Sequence, residues 1–148
     1  KKKEFRKLDK ANFDDKAKED FLKGAKIAYE TVIINFASGE LKKIKNLLDK
    51  KVFNDFNEAV RERKSKNLIS ETIFIGINSA NINNYNEINN ILEVTVDFVS
   101  EIISCVKDEN KKLVSGDPEK IKKVYDTWKF SRDVKSSSPN WLLTDTQA

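Results

Sequence analysis

Residues 116–144 read GDPEKIKKVYDTWKFSRDVKSSSPNWLLT and contain both tryptophans and both prolines of the chain. Apolar residues recur at alternate positions over residues 124–134, and Trp128 and Phe130 fall on the same face. A period of two is typical of a half-buried strand. A Gly-Asp-Pro turn precedes this strand, and a Ser-rich loop separates it from a short apolar segment at 140–144. We interpret the stretch as two strands at the edge of a core.

The length, the charged fraction and the mean hydropathy of the chain limit the class of protein. At 148 residues the chain is predicted to be one domain, long enough to bury a core without disulfides or metals. Charged residues make up 35% and the mean hydropathy is −0.61, so we expect a soluble polypeptide with no membrane span. The chain begins at Lys1 rather than Met. We therefore expect a fragment whose targeting or anchoring segments lie outside it.

Two residue types decide which chemistry is excluded. The chain has no histidine and one cysteine, Cys105. This excludes histidine-dependent catalysis, histidine-ligated metals and an internal disulfide, and it argues against a cysteine-based metal site. The four glycines are scattered singly, so no phosphate-binding loop is present. We expect neither a metal nor a cofactor.

The charge is divided unevenly along the chain. Residues 1–66 carry 19 Lys and Arg against 12 Asp and Glu, a net +7, whereas residues 67–148 carry 9 against 12, a net −3. A basic front half predicts an anionic partner. Residues 1–12 form a basic segment that, if helical, lies on an anionic membrane; a solvated, frayed terminus is the alternative. Its basic residues are Lys1, Lys2, Lys3, Arg6, Lys7 and Lys10.

Residues 13–148 are predicted to form a single domain that begins with three amphipathic helices. Apolar residues recur at spacings of three and four residues from Phe13 to Phe36, and again over residues 40–48. A third helix is predicted to begin after Asp49, which can cap it. Gly24 lies on the apolar stripe of the first helix, which predicts close approach of another element.

The period changes to two after the helices. Four strands are predicted near residues 69–82, 91–106, 122–134 and 140–144, with a turn at 83–86. Helices followed by strands with short turns indicate an α+β fold. We expect the three helices to pack on the concave face of a curved, antiparallel, four-stranded sheet.

Charged residues on the predicted strands have different interpretations. Arg132 shares a strand face with Trp128, so we predict a structural ion pair with a helical acid, Glu30 first, rather than a substrate anchor. Glu93, Asp97 and Glu101 lie on the face opposite the apolar residues and are interpreted as solvated sheet surface. Aromatic residues interleave with apolar residues rather than with lysines, so nucleic-acid binding is not expected.

Asp126 is the one acid on the apolar faces of the two clearest strands. An enzyme without histidine needs a carboxylate whose pKa is shifted by an apolar pocket. Asp126 therefore supports an alternative function, a small-molecule-binding domain or carboxylate-dependent enzyme such as an isomerase or dehydratase. Solvent exposure of Asp126 would remove that alternative.

Several motifs, in order and at matching spacing over about residues 20–144, resemble the Tim44-like domain family. They are FLKGAKIAYE at 21–30, FASGE at 36–40, the apolar residues at 47–56, GDP at 116–118, WKFSRD at 128–133 and SPNWLL at 138–143. The family is typified by the subunit that tethers a heat-shock chaperone motor to the import channel of the mitochondrial inner membrane.

The resemblance implies a cone-shaped fold similar to nuclear transport factor two, with a large apolar pocket. It also implies attachment to an inner membrane, bacterial or mitochondrial, through cardiolipin-type lipid, and partners among translocase or chaperone components. We therefore expect a non-enzymatic, peripheral membrane domain of protein translocation. The residues predicted to line the pocket are Trp128, Phe130, Val94, Val96, Phe98 and Ile75, with Phe36 and Phe53 at its mouth.

Overall fold

A helical layer and an antiparallel sheet make up the fold, in a computed structural model that describes residues 8–138 and 140–148. These described residues form two α-helices and five strands, which corrects the three helices and four strands predicted above. The α+β class is confirmed. The elements are α1 (Asp15–Ser38), α2 (Lys50–Ser65), β1 (Ile69–Ile88), β2 (Ile91–Lys107), β3 (Leu113–Gly116), β4 (Lys122–Asp133) and β5 (Leu142–Gln147).

Both helices begin and end at residues that satisfy their free backbone groups. The Asp14 side chain accepts a hydrogen bond from the backbone of Ala17 at the start of α1, and Asp49 accepts one from Val52 at the start of α2. Gly39 ends α1 with φ of 79°, a left-handed conformation that glycine adopts without strain. The predicted cap at Asp49 is therefore confirmed.

The helix predicted over residues 40–48 is replaced by two 3₁₀ turns, Leu41–Lys43 and Lys45–Leu47. A short segment between two caps is too brief for a stable α-helix. Leu48 is already extended and bridges to Leu143 of β5, so the chain has left the helical conformation before α2. The apolar spacing of three in this segment fits 3₁₀ turns, whose period is three.

The sheet has the order β1-β2-β4-β5, with β3 paired to the end of β2, and every strand pair is antiparallel. The turn predicted at 83–86 is wrong, because β1 continues through this Asn-rich segment. Asn89 and Asn90 form the turn instead, with φ of 51° and 66°. Asparagine tolerates this left-handed conformation better than most residues, and two-residue hairpins require it.

The face of β1 that packs on the core is not the face that carries Ile75. The register of β1 with β2 shifts between Phe74 and Gly76, and twice more before the hairpin turn. Phe74 and Ile77 pack against the core, whereas Ile73 and Ile75 are 60% and 49% exposed. The assignment of Ile75 to the pocket is therefore wrong. Phe74 takes the inward position, so Ile73 and Ile75 on either side of it are turned outward. The bulge after Phe74 adds one residue and brings Ile77 inward, so a period-of-two prediction fails beyond it.

The core lies between α1 and the sheet. The faces of β2 and β4 that meet α1 contribute Val94, Val96, Phe98 and Trp128, all buried, and α1 contributes Tyr29 and other apolar residues. In the described parts of the chain, no helix is both long enough and apolar enough to cross a membrane.

Replacing Gly116 with Ala is expected to destabilise the fold by about 2 kcal/mol or more, because the added methyl is strained on two counts. Gly116 has φ of 79°, and a Cβ there would lie 2.5 Å from the Ser104 carbonyl oxygen. The measurement is urea unfolding. Gly76→Ala is the matched control, because a Cβ at Gly76 meets nothing within 4 Å. Equal stability of the two variants would contradict the turn geometry.

Candidate functional site

An apolar groove of about 450 Å³ opens beside α1. One wall is the face of α1 that carries Phe21, Gly24 and Ala28, and the opposite side is formed by Leu47 and Trp141. The groove combines a largely apolar wall with a few polar residues, which is the usual character of a ligand site.

The groove exists because α1 presents small residues on this face. Ala17, Gly24, Ala25 and Ala28 all line it. A Cβ built on Gly24 meets nothing within 4 Å. The predicted close approach of another element at Gly24 is therefore wrong. The missing side chain leaves open space instead.

Aromatic side chains make the inner wall of the groove rigid. The ring of Phe21 meets Trp141 edge-on with centroids 4.7 Å apart, and it meets Phe130 in the same way at 5.7 Å. Edge-to-face aromatic contacts of this kind hold rings in fixed positions. The wall is thus set by packing and does not need a ligand to form it.

Three polar residues line the groove, and three lysines precede one of them in the sequence. Asp20, Asn46 and Asn140 are part of its lining. Lys45 immediately precedes Asn46, and its ammonium lies 5.5 Å from the centre of the Phe53 ring. Lys42 and Lys43 belong to the preceding 3₁₀ turn and are exposed. The groove can hold an apolar chain, and the one charged residue in its lining is Asp20. The nearby lysines lie in the turns before Asn46, where Lys43 is paired with Glu40.

The pocket predicted on the sheet face is filled by α1. Of its eight predicted residues, Phe130 alone lines the groove. Val94, Val96, Phe98 and Trp128 are buried core residues. Tyr29 occupies the space in front of them.

The aromatic ring of Tyr29 stacks on Phe98 at 4.2 Å and lies 4.6 Å from Trp128. The sequence contained a signal for this residue, because Tyr29 lies four residues after Ala25 and three before Val32 on the apolar stripe of α1.

The residues predicted at the pocket mouth lie elsewhere. Phe36 packs on Phe56 at 4.8 Å, beneath the guanidinium of Arg63. Arg63 also donates hydrogen bonds to the carbonyls of Phe36 and Ala37, so this cluster closes the end of α1. Phe53 packs under Lys45. These contacts join α1, α2 and the 3₁₀ turns and play no part in the groove.

A polar cluster links α1 to the sheet inside the core. The Tyr29 hydroxyl donates to the Asp126 carboxylate at 2.5 Å and lies 2.8 Å from the Ser100 hydroxyl. Because a phenol has one proton, Ser100 donates to Tyr29. Burial raises the pKa of Asp126, although the Tyr29 hydrogen bond opposes this. Burial is the largest cause that raises the pKa of Tyr29, and the hydrogen bond to Asp126 raises it further.

Asp126 is half-buried rather than solvent-exposed, but it is not part of the groove wall. Its carboxylate satisfies a fully buried tyrosine hydroxyl, and buried polar groups need such partners. The geometry therefore gives Asp126 a structural contact with α1. Within the described residues, no group of acidic or cysteine side chains could hold a metal ion.

The predicted Arg132–Glu30 ion pair does not occur among the described residues. Arg132 donates from Nη1 to the Leu8 carbonyl at 3.2 Å, and its buried Nε has no hydrogen-bond partner within residues 8–138 and 140–148. Glu30 is exposed, because it follows Tyr29 on α1 and is turned about 100° away from the buried stripe.

Most of the predicted membrane surface falls on residues for which no structure is given. Lys1, Lys2, Lys3, Arg6 and Lys7 lie outside the described residues. The backbone amide of Lys10 donates to the Glu87 carboxylate, and its Nζ donates to Asn86, so this segment contacts the end of β1. The division into residues 1–12 and 13–148 stays a prediction.

Replacing Tyr29 with Phe is expected to lower the free energy of unfolding at pH 7 by about 1–3 kcal/mol, because the half-buried Asp126 carboxylate loses its donor. That donor lowers the pKa of Asp126, so its loss raises the folded-state pKa further above 3.8. A raised folded-state pKa means that protonation favours the fold. Part of the loss should therefore disappear as the pH falls towards 3.8.

Urea unfolding at several pH values measures this effect. In an Asp126→Asn background, the decrease in the free energy of unfolding caused by Tyr29→Phe should no longer depend on pH. A cost in the parent that is constant from pH 7 to pH 4 would contradict the proposed role of the carboxylate.

Comparison with known proteins gives a family and a fold relative. No curated protein matches the chain in sequence. The intermembrane-space region of the chloroplast protein ARC6 is a similar solved structure, with 11% identity, a TM-score of 0.49, and coverage of 82% of this chain and 94% of that chain. A similarity at this level carries no argument about function. The model of the Tim44-like domain matches residues 3–148, nearly the whole chain. The protein therefore belongs to the Tim44-like domain family.

Proposed function

We propose that this domain attaches peripherally to a membrane by holding an acyl chain of an anionic lipid in the groove beside α1, in the service of protein translocation. Membership of the Tim44-like family indicates a role in translocation or import with protein partners. The family is generally non-enzymatic. Cardiolipin-type lipid on an inner membrane and a tether to translocase or chaperone components are the finer parts of the proposal.

The observation that carries the proposal is the open space over Gly24. An acyl chain that enters this apolar space leaves water, and each of its methylenes that is buried favours binding by about 0.8 kcal/mol. Lys42, Lys43 and Lys45 lie in the turns that lead to the groove wall at Asn46. Each basic side chain near an anionic membrane surface adds about 1 kcal/mol. Together these features favour a ligand with an apolar chain and a negative headgroup.

A carboxylate-dependent enzyme remains the alternative, but no observation favours it. Such an enzyme needs Asp126 to face a substrate. The carboxylate instead accepts the hydrogen bond of Tyr29 within the packing between α1 and the sheet.

Co-flotation with vesicles tests the proposal. The parent protein should float with phosphatidylcholine vesicles that contain cardiolipin and much less with phosphatidylcholine alone. Gly24→Leu should abolish the part of binding that resists high salt, because leucine fills the groove. The variant should stay folded, since replacing a helical glycine by leucine improves helix propensity by roughly 0.5–1 kcal/mol.

The lysine contribution has a matched control. Lys42→Gln, Lys43→Gln and Lys45→Gln together should remove the salt-sensitive part of binding. Lys120→Gln, Lys122→Gln and Lys123→Gln remove the same charge from the turn before β4 and its first residues, seven or more residues from Phe130, the nearest groove residue in the sequence. That variant should float like the parent. Absence of flotation by the parent, or full salt-resistant flotation of Gly24→Leu, would overturn the proposal.

A further inference from the structure

The first strand leaves one edge of the sheet open. The strand order gives β1 a single neighbour, β2. In the described chain, no hydrogen bond from outside this pair reaches the backbone of β1. Unpaired backbone groups along an edge are a template for another strand, and proteins commonly block them with lysine or proline. β1 contains neither residue. Its bulges interrupt regular pairing after Phe74, so the most regular stretch is Ile69 to Phe74.

Apolar side chains are exposed along the same stretch. Ile69, Ile73 and Ile75 are among the most exposed large apolar residues of the described chain. Ile73 is in register with Ile103 of β2, so the two form a pair of branched residues on one sheet face. Branched side chains on adjacent strands are a stabilising combination, and an added strand would extend it.

The charge of this hairpin is opposite to that of the chain. Residues 69–107, which form the hairpin of β1 and β2, contain five carboxylates and one Lys, in a chain with a net charge of +4. Glu71 pairs with Lys107 at 2.7 Å, and Glu93 lies 3.9 Å from Lys129. Glu101 is in register with Lys123 of β4, but the two form no ion pair. The hairpin therefore presents a negative surface on which the Glu101 carboxylate has no ion-pair partner among the described residues.

Gly76 connects this carboxylate to the open edge. Glu101 is in register with Gly76, and a Cβ at Gly76 would meet nothing within 4 Å. Neighbouring strands are about 4.8 Å apart, so a residue added beside Gly76 would lie about 10 Å from the Glu101 backbone. A lysine or arginine side chain can cross this gap towards the Glu101 carboxylate, because Gly76 places no side chain between them.

We propose that the outer edge of β1, over residues 69–76, binds an extended segment of a partner protein by strand addition. The segment carries branched apolar residues beside Ile69 and Ile73 and a lysine or arginine beside Gly76. Main-chain hydrogen bonds supply affinity in this binding mode, and alternate side chains supply specificity. A second copy of β1 fits poorly, because residues 69–88 contain no cation to place opposite Glu101.

A synthetic peptide tests the proposal without lipid, so its failure is distinct from failure of the groove. The probe is a fluorescently labelled peptide of alternating Val and Thr with one central Lys, and anisotropy measures its binding to the full chain. A peptide with central Glu should bind more weakly. A Lys peptide with every backbone amide N-methylated should lose at least tenfold in affinity, because it has no main-chain N–H to donate along the edge.

Matched variants locate the site. Ile73→Lys should weaken binding at least tenfold, whereas Ile121→Lys should not, although the two isoleucines are similarly exposed at 60% and 58%. Glu101→Gln should cost the Lys peptide about threefold, as expected for an exposed ion pair. Glu93→Gln removes the same charge from a residue that already has a lysine partner and should have no effect.

Three outcomes would overturn the proposal. The first is no binding of the Lys peptide, and the second is equal binding to the parent and Ile73→Lys. The third is a concentration-dependent dimer of the parent that Ile73→Lys abolishes, measured by sedimentation, because that result identifies a second copy as the occupant of the edge.

Discussion

The stacking of Tyr29 on Phe98 fixes how α1 lies on the sheet, and the remaining features of the inner face depend on it. The tyrosine is fully buried, and its hydroxyl has partners on two strands, Ser100 of β2 and Asp126 of β4. The ring of Tyr29 contributes buried apolar area. Its hydroxyl restricts the rotation of α1 about its axis, because hydrogen bonds depend on angle more strongly than apolar packing does. Rotation of α1 about its axis would leave a buried phenol and a half-buried carboxylate unpaired, at a cost of about 1–3 kcal/mol for each group.

The groove follows from this placement of α1. With Tyr29 turned towards Phe98, the side of the helix that carries Gly24 and Ala28 faces the segment around Trp141. The larger residues of α1 hold the helix at a fixed distance from its neighbours. The small side chains at Gly24 and Ala28 do not fill that distance, so an open space remains. The space that the family resemblance led us to expect is therefore moved from the sheet face to the flank of α1. The residues of the sheet face are core.

The regular parts of the fold were predictable from the sequence, and the site was less so. Sustained periods of two and of three to four identify β2, β4 and α1, because each keeps one face buried over its length. The pattern fails in β1, where each bulge resets which face is buried, and at Leu41 and Ile44, whose spacing fits both an α-helix and 3₁₀ turns. Gly24 shows a deeper limit. A glycine on an apolar stripe fits both close contact and open space, and tertiary packing alone distinguishes the two.

The two tryptophans allow a direct test of where an acyl chain lies. Trp141 lines the groove, whereas Trp128 is buried against Tyr29 in the core. Trp128→Phe and Trp141→Phe each leave a single tryptophan, whose fluorescence can be followed in cardiolipin-containing vesicles with brominated acyl chains. Because bromine quenches at contact range, Trp141 fluorescence should fall strongly and Trp128 fluorescence little. Bound protein with an unquenched Trp141, or with Trp128 quenched to the same extent, would contradict a groove that holds the chain.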